Sequence, residues 1–290
     1  RCRGSQRRAV APEVRLPSAG IGHLVPVLRL AAMLASRNCQ CRVTLIAVQP
    51  PVSAAESNEL SAFFASHPQI SRLDFHLPIP SSPSEFADAE KPDPFFARFL
   101  DISSSVHLLQ PLLASLSTPP LSAIFADFAV AADINRLADE LSIPLYIVST
   151  TSARFFSLMA CLPDLILESK SSEDSSIQLP GLASVPISSL PPPFFTPDHI
   201  FTAHIRLNAQ FLSKAKGILL NSFDWFESET IAAVNTGRVL AHLPPFLPMG
   251  PYEPCKAVVK AGSYLQWLDG QPNDTVVYAS FGSRTPFTKA

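Results

Sequence analysis

Val14-Arg15-Leu16-Pro17-Ser18-Ala19-Gly20-Ile21-Gly22-His23-Leu24 is the stretch on which the fold turns. A short apolar run gives way to two glycines. From Leu24 onward apolar residues return at helical spacing, through Val27, Leu28, Ala31 and Leu34. Strand, tight glycine turn and helix in that order open a doubly wound α/β domain.

The same alternation continues downstream. Apolar or β-branched runs predict strands at 14–17, 42–48, 73–77, 121–127, 145–149 and 217–221. Helical spacing recurs through Phe95, Phe99, Ile102, Val106 and Leu109, and again through Ile134, Leu137 and Leu141. Six strands alternating with helices predict a parallel sheet with right-handed crossovers, ordered 3-2-1-4-5-6.

Residues 13–243 form this first domain. Within it, 161–198 loses periodicity, combining a polar run at 168–176 with Pro-rich segments, and is expected to cross the surface as a long excursion. Residues 244–258, Pro-rich and nearly uncharged, read as an interdomain linker. A helix at 264–268 and a strand at 275–281 then read as the incomplete start of a second domain, since a single strand has no partners for its N–H and C=O groups. Residues 1–12, RCRGSQRRAVAP, fit neither domain. They suit an Arg-rich transit peptide or a misassigned gene start.

Composition removes several function classes. With 290 residues, 47% hydrophobic and only 16% charged, the chain is globular with a sizeable core. The formal charge is -2, and Arg1, Arg3, Arg7, Arg8 and Arg15 are concentrated at the start, leaving no basic face for nucleic acid. No run is long enough to span a membrane. Five scattered cysteines and no signal peptide point to reduced thiols and a cytoplasmic protein.

In a sheet of this order, strands one and four lie side by side where the order reverses, and ligands bind beyond their carboxyl ends. The sequence places His23 just past the first and Asp127 at the end of the fourth. The two are thereby expected to meet, the carboxylate holding one ring nitrogen and leaving the other to remove a proton. The helix dipole also biases a histidine at a helix N-terminus toward its neutral form. The plainer alternative is that His23 caps the helix and Asp127 merely ends a strand.

Other chemistries lack anchors. Gly20-Ile21-Gly22 would open a dinucleotide fingerprint, but Val25 stands at the third glycine position and no acidic residue ends the second strand. Neither a phosphate loop with its lysine nor a G-x-S-x-G elbow occurs. His199 and His204, five apart, miss the spacing for two metal ligands on one helix face. They are expected to be structural or solvent-facing, as are His67, His76, His107 and His242, so no metal site is expected. Phe128, Phe155-Phe156 and Phe194-Phe195 fall at loop ends, where an aromatic ligand would stack.

Pro17-Ser18-Ala19-Gly20-x-Gly22-His23-Leu24-x-Pro26, then Asn221-Ser222-Phe223, Trp267-Leu268-Asp269 and Ser280-Phe281-Gly282-Ser283, resemble in order and spacing the plant family 1 UDP-glycosyltransferases. The resemblance implies a GT-B fold of two Rossmann-like domains, the first binding a small acceptor and the second UDP-glucose. It places the catalytic base at His23 and its aspartate partner at Asp127. Acceptor contacts are implied at Gly22, Phe128, Ser149, Thr150, Phe155 and Phe194, and donor contacts at Gly282 and Ser283. Inverting glucose transfer to a flavonoid-type phenol follows, without cofactor or metal.

The start at Leu16-Pro17-Ser18-Ala19-Gly20 and the end at Ser280-Phe281-Gly282-Ser283-Arg284 are most similar to the branch that makes C-glucosides, with O-glucosylation the close competitor. Two departures stand out. Arg15 occupies a mid-strand position where the family has an apolar residue, and the donor box of the second domain does not occur in these 290 residues. The fragment is therefore expected to be inactive alone, and the alternative is a non-catalytic acceptor-binding or vestigial protein that lacks the donor domain.

Overall fold

A computed structural model describes residues 11–36, 41–78, 94–116, 119–165, 176–196, 198–254 and 263–279. Its frame is a parallel sheet of seven strands: β1 (Ala11–Leu16), β2 (Cys41–Gln49), β3 (Ser71–His76), β4 (Ala123–Asp127), β5 (Leu145–Ser149), β8 (Ile218–Leu220) and β9 (Phe246–Pro248). Two short strands, β6 (Ser176–Ile177) and β7 (Val185–Pro186), make a separate antiparallel pair. Sheet order is β3-β2-β1-β4-β5-β8-β9, so the six expected strands hold their expected order.

The seventh strand was missed. Its residues lie inside 244–258, where surrounding prolines masked a three-residue edge strand that pairs in parallel with β8 through Ile218↔Phe246 and Leu220↔Pro248. The strand expected at 275–281 is not present in its described part. Residues 275–279 belong to no strand, and Val277 and Tyr278 are 91% and 89% exposed, because no described strand lies beside them to take their N–H and C=O groups.

Both faces of the sheet are covered, which is why its strands read as nearly continuous apolar runs. One face carries Val14, Leu16, Ile46, Ile124, Ala126, Ile147 and Ile218 into a core shared with α5 (Ala131–Glu140) and α6 (Ala153–Cys161). The other face carries Val43, Leu45, Ala47, Phe125, Val148 and Leu219 into a core shared with α1 (Ile21–Ser36) and α2 (Ala54–Ser66). In α1 the buried positions are Leu24, Val27, Leu28, Leu30, Ala31 and Ala35, one stripe of a 3.6-residue helix.

Arg15 is fully buried among this second set. Its guanidinium meets the Glu13 carboxylate at 2.7 Å and sits 3.3 Å from the centre of the Phe125 ring. The departure from family pattern is thus accommodated by an ion pair and a cation–π contact.

The helical segment expected across 95–109 is α3 (Pro94–Ser105) followed by a 3-10 turn (Val106–Leu109), which leads into α4 (Gln110–Ser115). Downstream lie α7 (Ile200–Ala209), α8 (Asp224–Asn235) and α9 (Ser263–Asp269). Tyr264 and Trp267 of α9 are exposed. Cys161 is a free, buried thiol. Among the described residues no helix is long and apolar enough to cross a membrane.

Candidate functional site

The β1–α1 turn is built to present His23. Gly20 has φ of 93°, a left-handed conformation that glycine adopts without penalty, and its carbonyl accepts the N–H of His23 at 3.0 Å and of Leu24 at 2.9 Å. The turn is tied down from the neighbouring connection. Ser53 caps α2 by accepting the Glu56 N–H at 3.2 Å, and the buried Glu56 carboxylate accepts the N–H groups of Gly20 and Val52.

Parallel pairing of Leu16 with Ala126 brings the ends of β1 and β4 together. Asp127, 1% exposed, places Oδ2 2.8 Å from Nδ1 of His23, whose side chain is 27% exposed. The other carboxylate oxygen accepts the Ala129 N–H at 2.8 Å. Burial alone would push the Asp127 carboxyl up. The His23 charge and hydrogen bond, with the Ala129 N–H, overcome it and hold Asp127 below the usual carboxylate value. Asp127 is therefore an anion that only accepts, so His23 donates from Nδ1, and in the neutral ring the lone pair is on Nε2. Thr150 Oγ1 stands 3.4 Å from the same Nδ1.

His23 faces a cavity of about 710 Å3 at the carboxyl end of the sheet. Its wall takes in every expected acceptor contact except one: Gly22, Phe128, Ser149, Thr150 and Phe155 line it, together with Asp127. Phe194 does not. It is 1% exposed and lies behind the wall, stacked on Phe155 at 6.0 Å and on Phe201 at 5.6 Å. Gly282 and Ser283 lie outside the described residues.

The sequence reading missed several wall residues. Phe99 meets the His23 ring edge-on at 5.3 Å, and Phe201, Met159, Thr151 and Val52 are also part of a mostly apolar lining. Phe99 was legible only as a helix core position. His204, expected to be structural or solvent-facing, also lines the cavity, its ring 5.9 Å from Phe99 and its Nε2 donating to the Ala129 carbonyl at 2.7 Å. His199 instead caps α7, its Nδ1 accepting the Phe201 N–H at 3.2 Å. Among the described residues no cluster of three or more His, Cys, Asp or Glu side chains could hold a metal ion.

A carboxylate-oriented imidazole thus stands over an aromatic cavity at the switch point of a doubly wound sheet. No family model matches the chain. It is 47% identical over 269 residues to UDP-glycosyltransferase 708C2 of Fagopyrum esculentum, covering 92% of this chain and 56% of the relative. It is 40% identical over 276 residues to UDP-glycosyltransferase CGT of Oryza sativa subsp. japonica, covering 93% and 57%. A crystal structure of LpCGTa in complex with UDP superposes with a TM-score of 0.78 at 38% identity, over 97% of this chain and 61% of that one. The chain is similar in sequence and in fold to plant UDP-glycosyltransferases. It spans little more than half the length of the two curated relatives.

Proposed function

We propose that the chain is the acceptor-binding part of a cytoplasmic enzyme that transfers glucose from UDP-glucose to a flavonoid-type phenol. The observation that carries this reading is the His23–Asp127 pair at 2.8 Å on the wall of an aromatic cavity. The phenol O–H gives its proton to Nε2 of His23, and Asp127 stabilises the imidazolium that results. The phenolate, through its oxygen or a ring carbon ortho or para to it, attacks the anomeric carbon from the face opposite UDP. The bond from that carbon to the UDP oxygen breaks, UDP leaves with the electron pair, and the configuration inverts. Attack through carbon ends with loss of the ring proton. We favour that C-glucosyl outcome slightly over O-glucosylation, on the similarity of the motifs around Leu16 and Ser280.

In this reading residues 13–243 with β9 form the acceptor domain, the linker follows β9, and residues from 259 begin the donor domain. Gly282 and Ser283 then face the donor phosphates. No step calls on a metal, so EDTA is expected to leave the rate unchanged.

The test is glucose transfer to flavonoid-type phenols by the 290-residue chain alone and joined to the C-terminal half of the Fagopyrum relative. The joined protein is expected to form glucoside and the chain alone to be nearly inactive, because holding donor and acceptor together supplies much of the rate. His23→Ala is expected to abolish turnover while acceptor binding persists. Turnover retained in that variant removes His23 from its role. No glucoside from any form favours a non-catalytic acceptor-binding protein.

A further inference from the structure

Neither Glu56 nor Arg98 lines the acceptor cavity. Both line a separate cavity of about 20 Å3 beside Pro17, Ser18 and Ala19, too small for any acceptor. Three segments that do line the acceptor cavity nevertheless meet at these two side chains. Glu56, buried in the first turn of α2, accepts the N–H of Gly20 in the β1–α1 turn and, at 2.8 Å, that of Val52 in the β2–α2 connection. Arg98 of α3 donates to the Pro50 carbonyl in the same connection. Burial lowers the Arg98 pKa, and the charges of Asp101 and Glu56 act against that shift. Gly20, Val52 and the Phe99 that follows Arg98 all stand in the acceptor cavity wall.

The arrangement reaches His23 by two routes. Along the backbone, Glu56 holds the N–H of Gly20 while the Gly20 carbonyl accepts the His23 N–H at 3.0 Å, so one residue joins the carboxylate to the histidine. Through space, the Phe99 ring meets the His23 ring edge-on at 5.3 Å. Glycine changes conformation at little cost, so a turn built on Gly20 and Gly22 has little stiffness of its own. The bond from His23 Nδ1 to Asp127 Oδ2, 2.8 Å long, needs the turn to stay put.

We propose that Glu56 is a positioning residue for the reaction: by tying Gly20 to Val52 from outside the cavity, it keeps His23 on Asp127 in a single tautomer. The proposal rests on the function proposed above and adds to it a residue that lies outside the cavity where the acceptor sits.

The first test reads His23 in the 290-residue chain carrying isotope-labelled histidine. A long-range proton–nitrogen NMR spectrum at alkaline pH, where an imidazole is neutral, separates protonated from unprotonated ring nitrogens. The His23 signals are those missing from His23→Gln. The parent is expected to show one tautomer, protonated at Nδ1. Glu56→Gln satisfies one of the two N–H groups and presses an NH2 group on the other, so the two His23 nitrogen signals should move toward each other as tautomers mix. Glu56→Asp, a carboxylate one methylene short, should give a smaller shift in the same sense. Phe63→Leu, a buried change in the same helix away from both cavities, should lower the melting temperature without moving these signals.

The second test uses the chain joined to the C-terminal half of the Fagopyrum relative. Glu56→Gln is expected to lower kcat about 10- to 100-fold with KM for the phenol changed less than about threefold, while Phe63→Leu leaves both near the parent.

Unshifted His23 signals or a parent-like kcat in Glu56→Gln would overturn the proposal and leave Glu56 a stabilising contact, while the acceptor site would stand. A change confined to KM would also overturn it, placing Glu56 in the shaping of the wall at Val52. If Glu56→Gln does not fold, Glu56→Asp decides by the same signals. A joined parent that forms no glucoside would overturn the function proposed above, whereas the NMR signals still decide whether Glu56 orders His23.

Discussion

Nδ1 of His23 and Oδ2 of Asp127 lie 2.8 Å apart although 104 positions separate them in the chain. The contact exists because β1 and β4 are neighbours at the point where the sheet order reverses, and each ends at the same level. Asp127→Asn keeps the shape but lets the amide donate to Nδ1, which favours the wrong tautomer. In a form of the protein that carries a donor-binding half, kcat is expected to fall by about 10²- to 10⁴-fold with KM for the phenol little changed. A loss confined to KM would place Asp127 in binding rather than in orientation.

The same pair makes stability depend on pH. Folding lowers the Asp127 pKa, so its contribution is complete above the unfolded value of roughly 3.9 and is lost as pH falls through the folded value. The melting temperature of Asp127→Asn should therefore lie below the parent's at pH 7, the two converging as pH drops below about 4. Thermal scans by circular dichroism at stepped pH read this directly. A gap unchanged at pH 3 would mean that the carboxylate contributes nothing to stability through its charge.

Glu56 supports the active turn from outside the cavity. Its two oxygens accept the N–H groups of Gly20 and Val52, and a glutamine can match only one of them while pressing an NH2 group on the other. Glu56→Gln is expected to cost about 1–3 kcal/mol, measured by urea unfolding. An unchanged midpoint would show that the β1–α1 turn holds its shape unaided.

Arg15 invites the opposite expectation. Replacing a buried ion pair with apolar residues of similar volume is often neutral or stabilising, whereas removing one partner strands a charge. The double variant Glu13→Gln, Arg15→Met is expected to melt at or above the parent temperature, and Glu13→Gln alone below it. A large fall in the double variant would show that the contact with Phe125 outweighs the cost of burying the guanidinium.

Strand order and the His23–Asp127 pair were legible because both follow from local patterns read through one topological rule. Buried parallel strands show as apolar runs, and the switch point then says which ends meet. What escaped depends on partners that no local pattern reveals. β9 is three residues flanked by proline, and only its pairing with β8 makes it a strand. His204 was judged by its spacing from His199, a test for metal ligands, while its partner is a backbone carbonyl 75 residues away. Phe194 and Phe155 look alike in sequence. Packing alone puts one ring on the wall and the other behind it.

The division of labour around the cavity has a consequence for how such proteins diversify. The His23–Asp127 pair belongs to the sheet and its first turns, whereas much of the lining comes from α3, α6 and α7 and their connections. On the function proposed above, substitutions in those helices retune which molecule is held while the His23–Asp127 pair stays in place, so a lineage can explore new acceptors one wall residue at a time. Phe99 and His204 are the positions where such drift would be felt first, since each touches both the ligand space and the ring beside it.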